Sequence, residues 1–330
     1  MSPRAGGRDR GEADDRRGRG VGPPGGGAHP AEPPPDPGVA VVVVNYESGP
    51  ALVRCVEGWR SEGVSELVVV DNGSVDGSLD EIRRRFPEVG VVVPGRNLGY
   101  GAAVNRGVAA TESELVLVSN SDLEVRPGAV GVLAEALAGE PGCATVGPLI
   151  RTSSGDRYPS ARRFPSLIDA AGHALLGIFA PDNRFTRSYQ QAQLAGAAPG
   201  PVMVDWVSGA CFMTRRPAFE QVGGFDEAYF MYAEDVDLCW RLGRSGWQVA
   251  YAPMAEVTHL QGVSTDRHPY RMIFEHHRSL LRFAVRSTVG WRRALLPLMA
   301  LGIATRAGLA GLRRVTRPPT RPTRMPDHRL

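Results

Sequence analysis

A nearly unbroken apolar run over residues 39–46, Val-Ala-Val-Val-Val-Val-Asn-Tyr, constrains this chain more than any other feature. A strand with one wet face alternates apolar and polar residues. A run that is apolar at nearly every position predicts a strand covered on both faces, as in a parallel sheet between two helical layers. The texture that follows agrees. Residues 50–60 read as a helix with proline at its start, and 66–70 as a strand ending on Asp71. A helix near 79–86, a strand at 89–93, a helix near 101–110 and a strand at 115–119 continue the alternation. The predicted fold class is α/β with a doubly wound, mostly parallel sheet.

The remaining composition narrows the chemistry. A length of 330 residues with 42% apolar content supports one large domain or two fused halves with room for a cleft. Lysine is absent, which removes P-loop, Schiff-base and kinase-type lysine chemistry, although coding bias also produces an arginine-rich, lysine-free chain. The net charge of +3 is too small to imply a nucleic-acid partner. Cys55, Cys143, Cys211 and Cys239 are widely spaced and predict reduced, buried thiols in a cytosolic setting. Residues 1–38 are rich in Gly, Pro and Arg, lack periodic apolar positions and a signal-peptide core, and are expected to be disordered.

In doubly wound sheets ligands sit beyond the carboxyl ends of the strands, which is where Asn45, Asp71, Asn97, Asn120 and Asp122 fall. Asp71 heads a polar, glycine-bearing turn and can accept hydrogen bonds from a ribose or a pyrimidine N–H, while Asp76 is suited to cap the next helix. The stretch Asn97-Leu98-Gly99-Tyr100-Gly101-Ala102-Ala103-Val104-Asn105 opens a helix and lets a backbone approach a diphosphate or sugar. Its resemblance to a dinucleotide fingerprint fails at Val104, where a third small residue is required. Asn120-Ser121-Asp122 offers a hard oxygen ligand for Mg²⁺ or Mn²⁺, the plain alternative being a turn-capping aspartate before Pro127.

Further along, short strands are expected at 201–206 and 211–214 around Ser208-Gly209-Ala210, then a helix near 217–222. Glu234-Asp235-Val236-Asp237 crowds the start of another helix, where the dipole favours acids. Asp237 and Arg241 are an i,i+4 pair expected on a solvated face, whereas Asp235 shares a face with Leu238 and Leu242 and is directed inward. Asp235 is the predicted general base, with Glu234 its rival and a structural cap the other alternative. His259 follows a strand-like segment at 247–252 and is a predicted metal ligand, although a lone histidine is usually structural.

Taken jointly, Val43-Val44-Asn45-Tyr46, Val70-Asp71-Asn72-Gly73-Ser74, Asn97-Leu98-Gly99-Tyr100-Gly101, Asn120-Ser121-Asp122 and Glu234-Asp235-Val236-Asp237 resemble the family 2 glycosyltransferases of the GT-A fold, over residues 39–264. The resemblance implies that Asp71 binds the nucleotide, Asp122 binds Mg²⁺ or Mn²⁺, and Asp235 is the base of an inverting transfer. Ser121 stands where many members have proline. The implied nucleotide-sugar set is Asn45, Tyr46, Glu47, Asp71, Asn72, Asn97, Gly99, Gly101, Asn105, Asn120 and Asp122. The implied acceptor set is Trp206, Gly209, Glu234 and Arg162, and the implied metal ligands are Asp122 and His259. Within the family, Gly147-Pro148-Leu149-Ile150-Arg151, Tyr158-Pro159-Ser160-Ala161-Arg162 and Gly223-Gly224-Phe225-Asp226-Glu227 are similar to actinobacterial rhamnosyltransferases of arabinogalactan linker assembly. That similarity implies dTDP-β-L-rhamnose as donor and decaprenyl-diphospho-N-acetylglucosamine as acceptor. A family 2 transferase using a UDP-sugar in capsule or O-antigen synthesis, and a non-catalytic glycan-binding module, are the alternatives.

The carboxyl end adds an independent expectation. An apolar run over residues 294–305 is shorter than the ~20 residues needed to span a bilayer, and Arg306, Arg313, Arg314, Arg317, Arg321 and Arg324 follow it. A peripheral helix on the cytoplasmic face of the membrane is expected, held by anionic lipid. The predicted organisation is a tail over 1–38, a nucleotide-sugar half over 39–150, an acceptor and catalytic half over 151–265, and a basic helical region over 266–330.

Overall fold

The computed structural model describes residues 38–164, 200–260 and 269–316. The tail up to residue 37, residues 165–199, and Arg317, Arg321 and Arg324 lie outside the described residues.

The first strand, β1 (Val39–Asn45), is buried along its whole length. It pairs in parallel with β2 (Glu66–Asp71) on one side and β4 (Leu115–Asn120) on the other, with β3 (Gly90–Val92) beyond β2. The helices α1 (Pro50–Ser61), α2 (Ser78–Arg85) and α3 (Tyr100–Val108) connect them. Successive β1 side chains serve opposite layers: Val41 and Val43 pack with Leu52, Val56 and Trp59 of α1, and Val42 and Val44 with Ala103, Val104 and Val108 of α3. Full burial of each valine contributes on the order of 2 kcal/mol, and the two-sided burial is why the run lacks polar positions before Asn45. Gly107 lets α3 approach closely, since a Cβ there would lie 2.2 Å from Val42 Cγ1.

The rest of the chain extends the same sheet. After β5 (Leu123–Val125) and α4 (Ala129–Gly139) come β6 (Cys143–Thr152), β7 (Arg157–Tyr158) and β8 (Ala161–Arg162). Next are β9 (Val202–Val204), β10 (Trp206–Val207), β11 (Cys211–Arg215) and α5 (Arg216–Gln221), and then α6 (Glu234–Arg244) and β12 (Gln248–His259). The sheet order is β3-β2-β1-β4-β11-β6-β12-β5, with β7 on β6 and β9 on β12. β11 is antiparallel to both β4 and β6, so the sheet is mixed, and the 39–150 and 151–265 segments interleave within it. The strand expected over 247–252 continues to His259, and the one expected over 201–206 is two short strands. β8 and β10 form a small separate ribbon.

The C-terminal helices are α7 (Pro269–Ser287) and α8 (Leu296–Thr316), joined through a 3₁₀ turn at Gly290–Leu295. Here the structure corrects the sequence expectation. The apolar stretch is Gly290–Leu312, 23 residues, long and apolar enough by length and composition to cross a membrane. Helix continues through Gly302, Gly308 and Gly311 and beyond Arg306, so scattered polar and small residues hid its length. Trp291, Leu298, Leu301 and Leu312 are exposed along it.

Candidate active site

The tips of β1 and β2 meet because Asn45 pairs with Asp71 in the parallel register. The Asn45 amide donates to Asp71 Oδ1 at 2.8 Å, and the Ser74 N–H donates to Oδ2 at 3.1 Å. Both side chains are buried. The turn requires Gly73: its φ is +89°, and a Cβ would lie 2.9 Å from the backbone nitrogen of Asn97. Glu47, itself left-handed at φ 56°, accepts from the Val75 N–H at 2.7 Å and closes the rim beside the partly exposed Tyr46. Asp76 accepts from the Ser78 N–H at 3.0 Å and the Gly49 N–H at 2.7 Å, tying the starts of α1 and α2 together.

Asn72 is spent on the neighbouring loop. Its Oδ1 accepts from Leu98 N–H at 2.8 Å, and its amide donates to Asn97 Oδ1 at 3.1 Å and Gly99 O at 3.2 Å. The two glycines predicted to face a ligand are accounted for by protein packing. A Cβ at Gly99 would lie 2.4 Å from Phe230 O, and one at Gly101 2.8 Å from Phe225 Cβ. Asn105 likewise holds the backbone of Phe225 through N–H and carbonyl bonds of 2.9 Å, away from the strand tips.

Asp122 follows the end of β4, and antiparallel pairing of His259 with Leu123 brings the end of β12 beside it. His259 Nε2 lies 3.0 Å from Asp122 Oδ1 and 3.2 Å from Asn120 Nδ2, while its Nδ1 is buried without a hydrogen-bond partner among the described residues. Ser121 pairs its hydroxyl with that of Ser48 at 2.5 Å and so keeps the turn anchored. Among the described residues no group of three or more His, Cys, Asp or Glu side chains is arranged to hold a metal. The pair nevertheless fits Mg²⁺ or Mn²⁺ in one respect. A carboxylate oxygen and an imidazole converge, leaving the other positions to diphosphate oxygens and water.

Across the cleft, Tyr232 and Ala233 enter α6 at φ 69° and 61°. For residues with side chains such conformations cost roughly 1–2 kcal/mol each. They deliver Glu234 and Asp235 to the helix N-terminus. Asp235 is half-buried, and its Oδ2 accepts from Gly209 N–H and its Oδ1 from Val236 N–H, both at 2.8 Å. Burial raises its carboxyl above the usual aspartate range, against those N–H groups and the charge of Arg162. Glu234 is more deeply buried, its Oε2 has no partner among the described residues, and burial followed by the charge of Asp235 pushes it up to about 8.

The expected facing of this helix needs correction. Asp237 is fully buried, not solvated: Arg241 binds it at 2.7 Å and Arg286 of α7 at 3.3 Å. The i,i+4 pair forms as its spacing predicts, but α7 covers that face and the local sequence carries no sign of it. Asp235 is less buried than either neighbouring acid and faces Gly209 rather than the interior.

Tyr100 joins the two sides, a role that its place in the Asn97–Gly101 motif does not by itself disclose. Its hydroxyl donates to Gly209 O at 2.5 Å. Burial, then the charges of Glu234, Cys211, Asp235 and Asp122, hold that hydroxyl well above the usual tyrosine range. An aromatic hydroxyl directly after the turn glycine is the signal that could have singled it out. On the far wall Arg162 stacks 5.2 Å over Trp206, held by β8–β10 pairing, and the buried Trp206 Nε1 has no partner among the described residues.

Comparison with known proteins agrees with this geometry. Residues 35–279 match the family described as Glycosyltransferase like family 2. The N-acetylglucosaminyl-diphospho-decaprenol L-rhamnosyltransferase of Mycobacterium tuberculosis is 42% identical over 269 residues, covering 78% of this chain and 87% of that protein. The low-salt glycan biosynthesis hexosyltransferase Agl10 of Haloferax volcanii is 27% identical over 69% of each chain. A mannosyltransferase from Pyrobaculum calidifontis, solved with GDP-Man and Mn²⁺, superposes with a TM-score of 0.51 at 17% identity, over 87% of this chain and 78% of that one. That likeness shows the GT-A fold. With the sheet, the acidic helix start and the family match in agreement, this chain belongs to the family 2 glycosyltransferases.

Proposed function

We propose that this protein is an inverting rhamnosyltransferase. It moves L-rhamnose from dTDP-β-L-rhamnose to lipid-linked N-acetylglucosaminyl diphosphate, with decaprenol as the lipid, in assembly of the arabinogalactan linker. The observation that carries the reading is the 42% identity extending over 87% of the Mycobacterium tuberculosis rhamnosyltransferase. Two features are consistent with it: Asp235 is held by the Gly209 N–H, and the buried Trp206 Nε1 has no hydrogen-bond partner among the described residues. Residues 39–150 supply the nucleotide side and 151–265 the acceptor side.

In this reading Asn45 and Asp71 hold the nucleoside at the β1–β2 tips. Asp122 and His259 would hold Mg²⁺ or Mn²⁺, which supplies charge neutralisation for the departing diphosphate. Asp235, oriented by the Gly209 and Val236 N–H groups, takes the proton from the acceptor hydroxyl. The hydroxyl oxygen attacks the anomeric carbon opposite the diphosphate, the sugar–phosphate bond breaks, and the configuration inverts from β to α. Trp206 and Arg162 receive the acceptor, the indole N–H donating to it and the guanidinium facing its diphosphate. Helix α8 brings the site to the lipid at the cytoplasmic leaflet. Arg292 and Arg293 in the turn before it and Arg306 within the apolar stretch favour a helix lying in the interface over one that crosses.

Incubation with dTDP-β-L-rhamnose and a short-chain polyprenyl-diphospho-N-acetylglucosamine is expected to yield an α-rhamnosyl product, and EDTA to suppress it. Transfer from a UDP-hexose with none from dTDP-rhamnose would overturn the donor assignment. Binding of donor without turnover on any acceptor would overturn the enzymatic one. Co-sedimentation with anionic vesicles that a carbonate wash reverses is expected for peripheral attachment.

A further inference from the structure

The loop that delivers Asp235 takes a shape the chain resists. Two consecutive side-chain-bearing residues, Tyr232 and Ala233, are left-handed immediately before the catalytic turn. Such a pair persists only where its surroundings over-determine it.

Those surroundings come from α7. The Ser279 hydroxyl, itself buried, donates to Met231 O at 2.9 Å. The His276 ring meets Tyr232 edge-on with centroids 5.1 Å apart, and Arg271 stacks 4.4 Å over Phe230. Arg282 lies 5.3 Å over Tyr229. Arg286 binds Asp226 at 2.5 Å before the loop and Asp237 at 3.3 Å after it, so one guanidinium closes both ends. Positions 276, 279, 282 and 286 recur at spacings of three and four, which places them on a single stripe of the helix. Asp237, two residues beyond the base, is fully buried and pairs with both Arg241 and Arg286.

We propose that α7 is a splint for the catalytic base, and that Ser279 and Arg286 are positioning residues that hold Asp235 opposite Gly209. The proposal rests on the reading of Asp235 as the base. It gives α7 a part in turnover separate from carrying α8 to the membrane, because each contact above is made to the loop at residues 226–237 rather than to lipid. The effect falls on the placement of a group that acts during the chemical step, so it appears in kcat, where misplacement by a fraction of an ångström is costly.

The test uses the full-length chain, a soluble short-chain acceptor and the donor that the wild type turns over. Ser279→Ala and Arg286→Met are expected to lower kcat about tenfold while the KM for donor stays within about twofold, and Arg286→Lys is expected to recover most of the loss. Amide hydrogen exchange of residues 229–237, measured without substrate, is expected to speed up in the same two variants and not in the lysine variant. Should Arg286→Met fail to fold, Ser279→Ala decides, since it removes one hydroxyl from a helix that tolerates alanine. Wild-type kcat in Ser279→Ala, or a loss confined to KM, overturns the splint. Asp235→Asn separates the two ideas. If it abolishes turnover while Ser279→Ala and Arg286→Met do not slow it, the splint alone falls. If Asp235→Asn retains turnover, the base assignment falls, whatever the exchange data show.

Discussion

Gly209 donates its backbone N–H to Asp235 Oδ2 across 2.8 Å, linking the loop before β11 to the first turn of α6. The same glycine accepts from the Tyr100 hydroxyl at 2.5 Å. One residue without a side chain therefore aligns a carboxylate from one helix with an aromatic hydroxyl from another. The two orienting N–H groups on Asp235 stabilise its charged form, and burial opposes them. The outcome is a carboxylate that is held in place and more basic than an exposed aspartate.

Removal of that carboxylate gives the first prediction. Asp235→Asn is expected to lower kcat by roughly 100-fold or more with little change in the KM for donor, the range for loss of a general base. Glu234→Gln is expected to cost less than about tenfold, because the glutamate carries a proton over much of the neutral range and faces the interior. Steady-state kinetics on the two purified variants checks this, and the reverse ranking would transfer the base role to Glu234.

Glu234 also makes stability depend on pH in a defined direction. Its carboxyl is raised from 4.5 to about 8 in the folded protein. Between those values the folded state binds a proton that the unfolded chain releases, so stability is complete below about 4.5 and is lost as pH rises towards about 8. The slope is on the order of 1 kcal/mol per pH unit. Thermal melts are expected to fall between pH ~6 and ~8.5 in the wild type and to flatten in Glu234→Gln, which should melt higher at the alkaline end. Parallel profiles for the two proteins would contradict this.

The Asp122–His259 pair sets a third expectation. His259→Ala is expected to weaken Mn²⁺ binding in the presence of nucleoside diphosphate by roughly tenfold or more, measured by titration calorimetry. Asp122→Asn is expected to weaken it further, since it removes the hard anionic oxygen. Unchanged affinity in His259→Ala would make the histidine a structural partner of Asp122.

Two glycines on helices are expected to respond oppositely to alanine. Gly107→Ala drives a Cβ to 2.2 Å from Val42 Cγ1 and 2.8 Å from Val70 Cγ2. Overpacking of that kind costs about 1–3 kcal/mol, which outweighs the gain in helix propensity. Gly131→Ala in α4 meets nothing within 4 Å and is expected to stabilise by roughly 0.5–1 kcal/mol. Urea denaturation of the two variants reads out both signs.

Local pattern was sufficient for much of this protein. The two-sided burial of β1, the helix–strand alternation, and the strand-end positions of Asn45, Asp71, Asn120 and Asp122 were legible because each depends on periodicity along a few consecutive residues. The joint motif set was legible for the same reason, and it led to the right family.

Other features depend on which distant segments cover or approach one another. His259 reaches Asp122 only because β12 runs past its expected end and pairs with β5, a contact across more than a hundred residues. Asp237 reads as a surface ion pair until α7 closes over it with Arg286, and Asp235 reads as an inward side chain until Gly209 draws its carboxylate to the cleft. The layered fold, the strand-tip acids and the acidic helix start follow from local pattern along the chain. Tertiary structure alone decided which acid is buried, which is oriented towards the cleft, and which helix holds the strained loop between them, since burial and hydrogen-bond partnership are properties of neighbours that the local pattern does not contain.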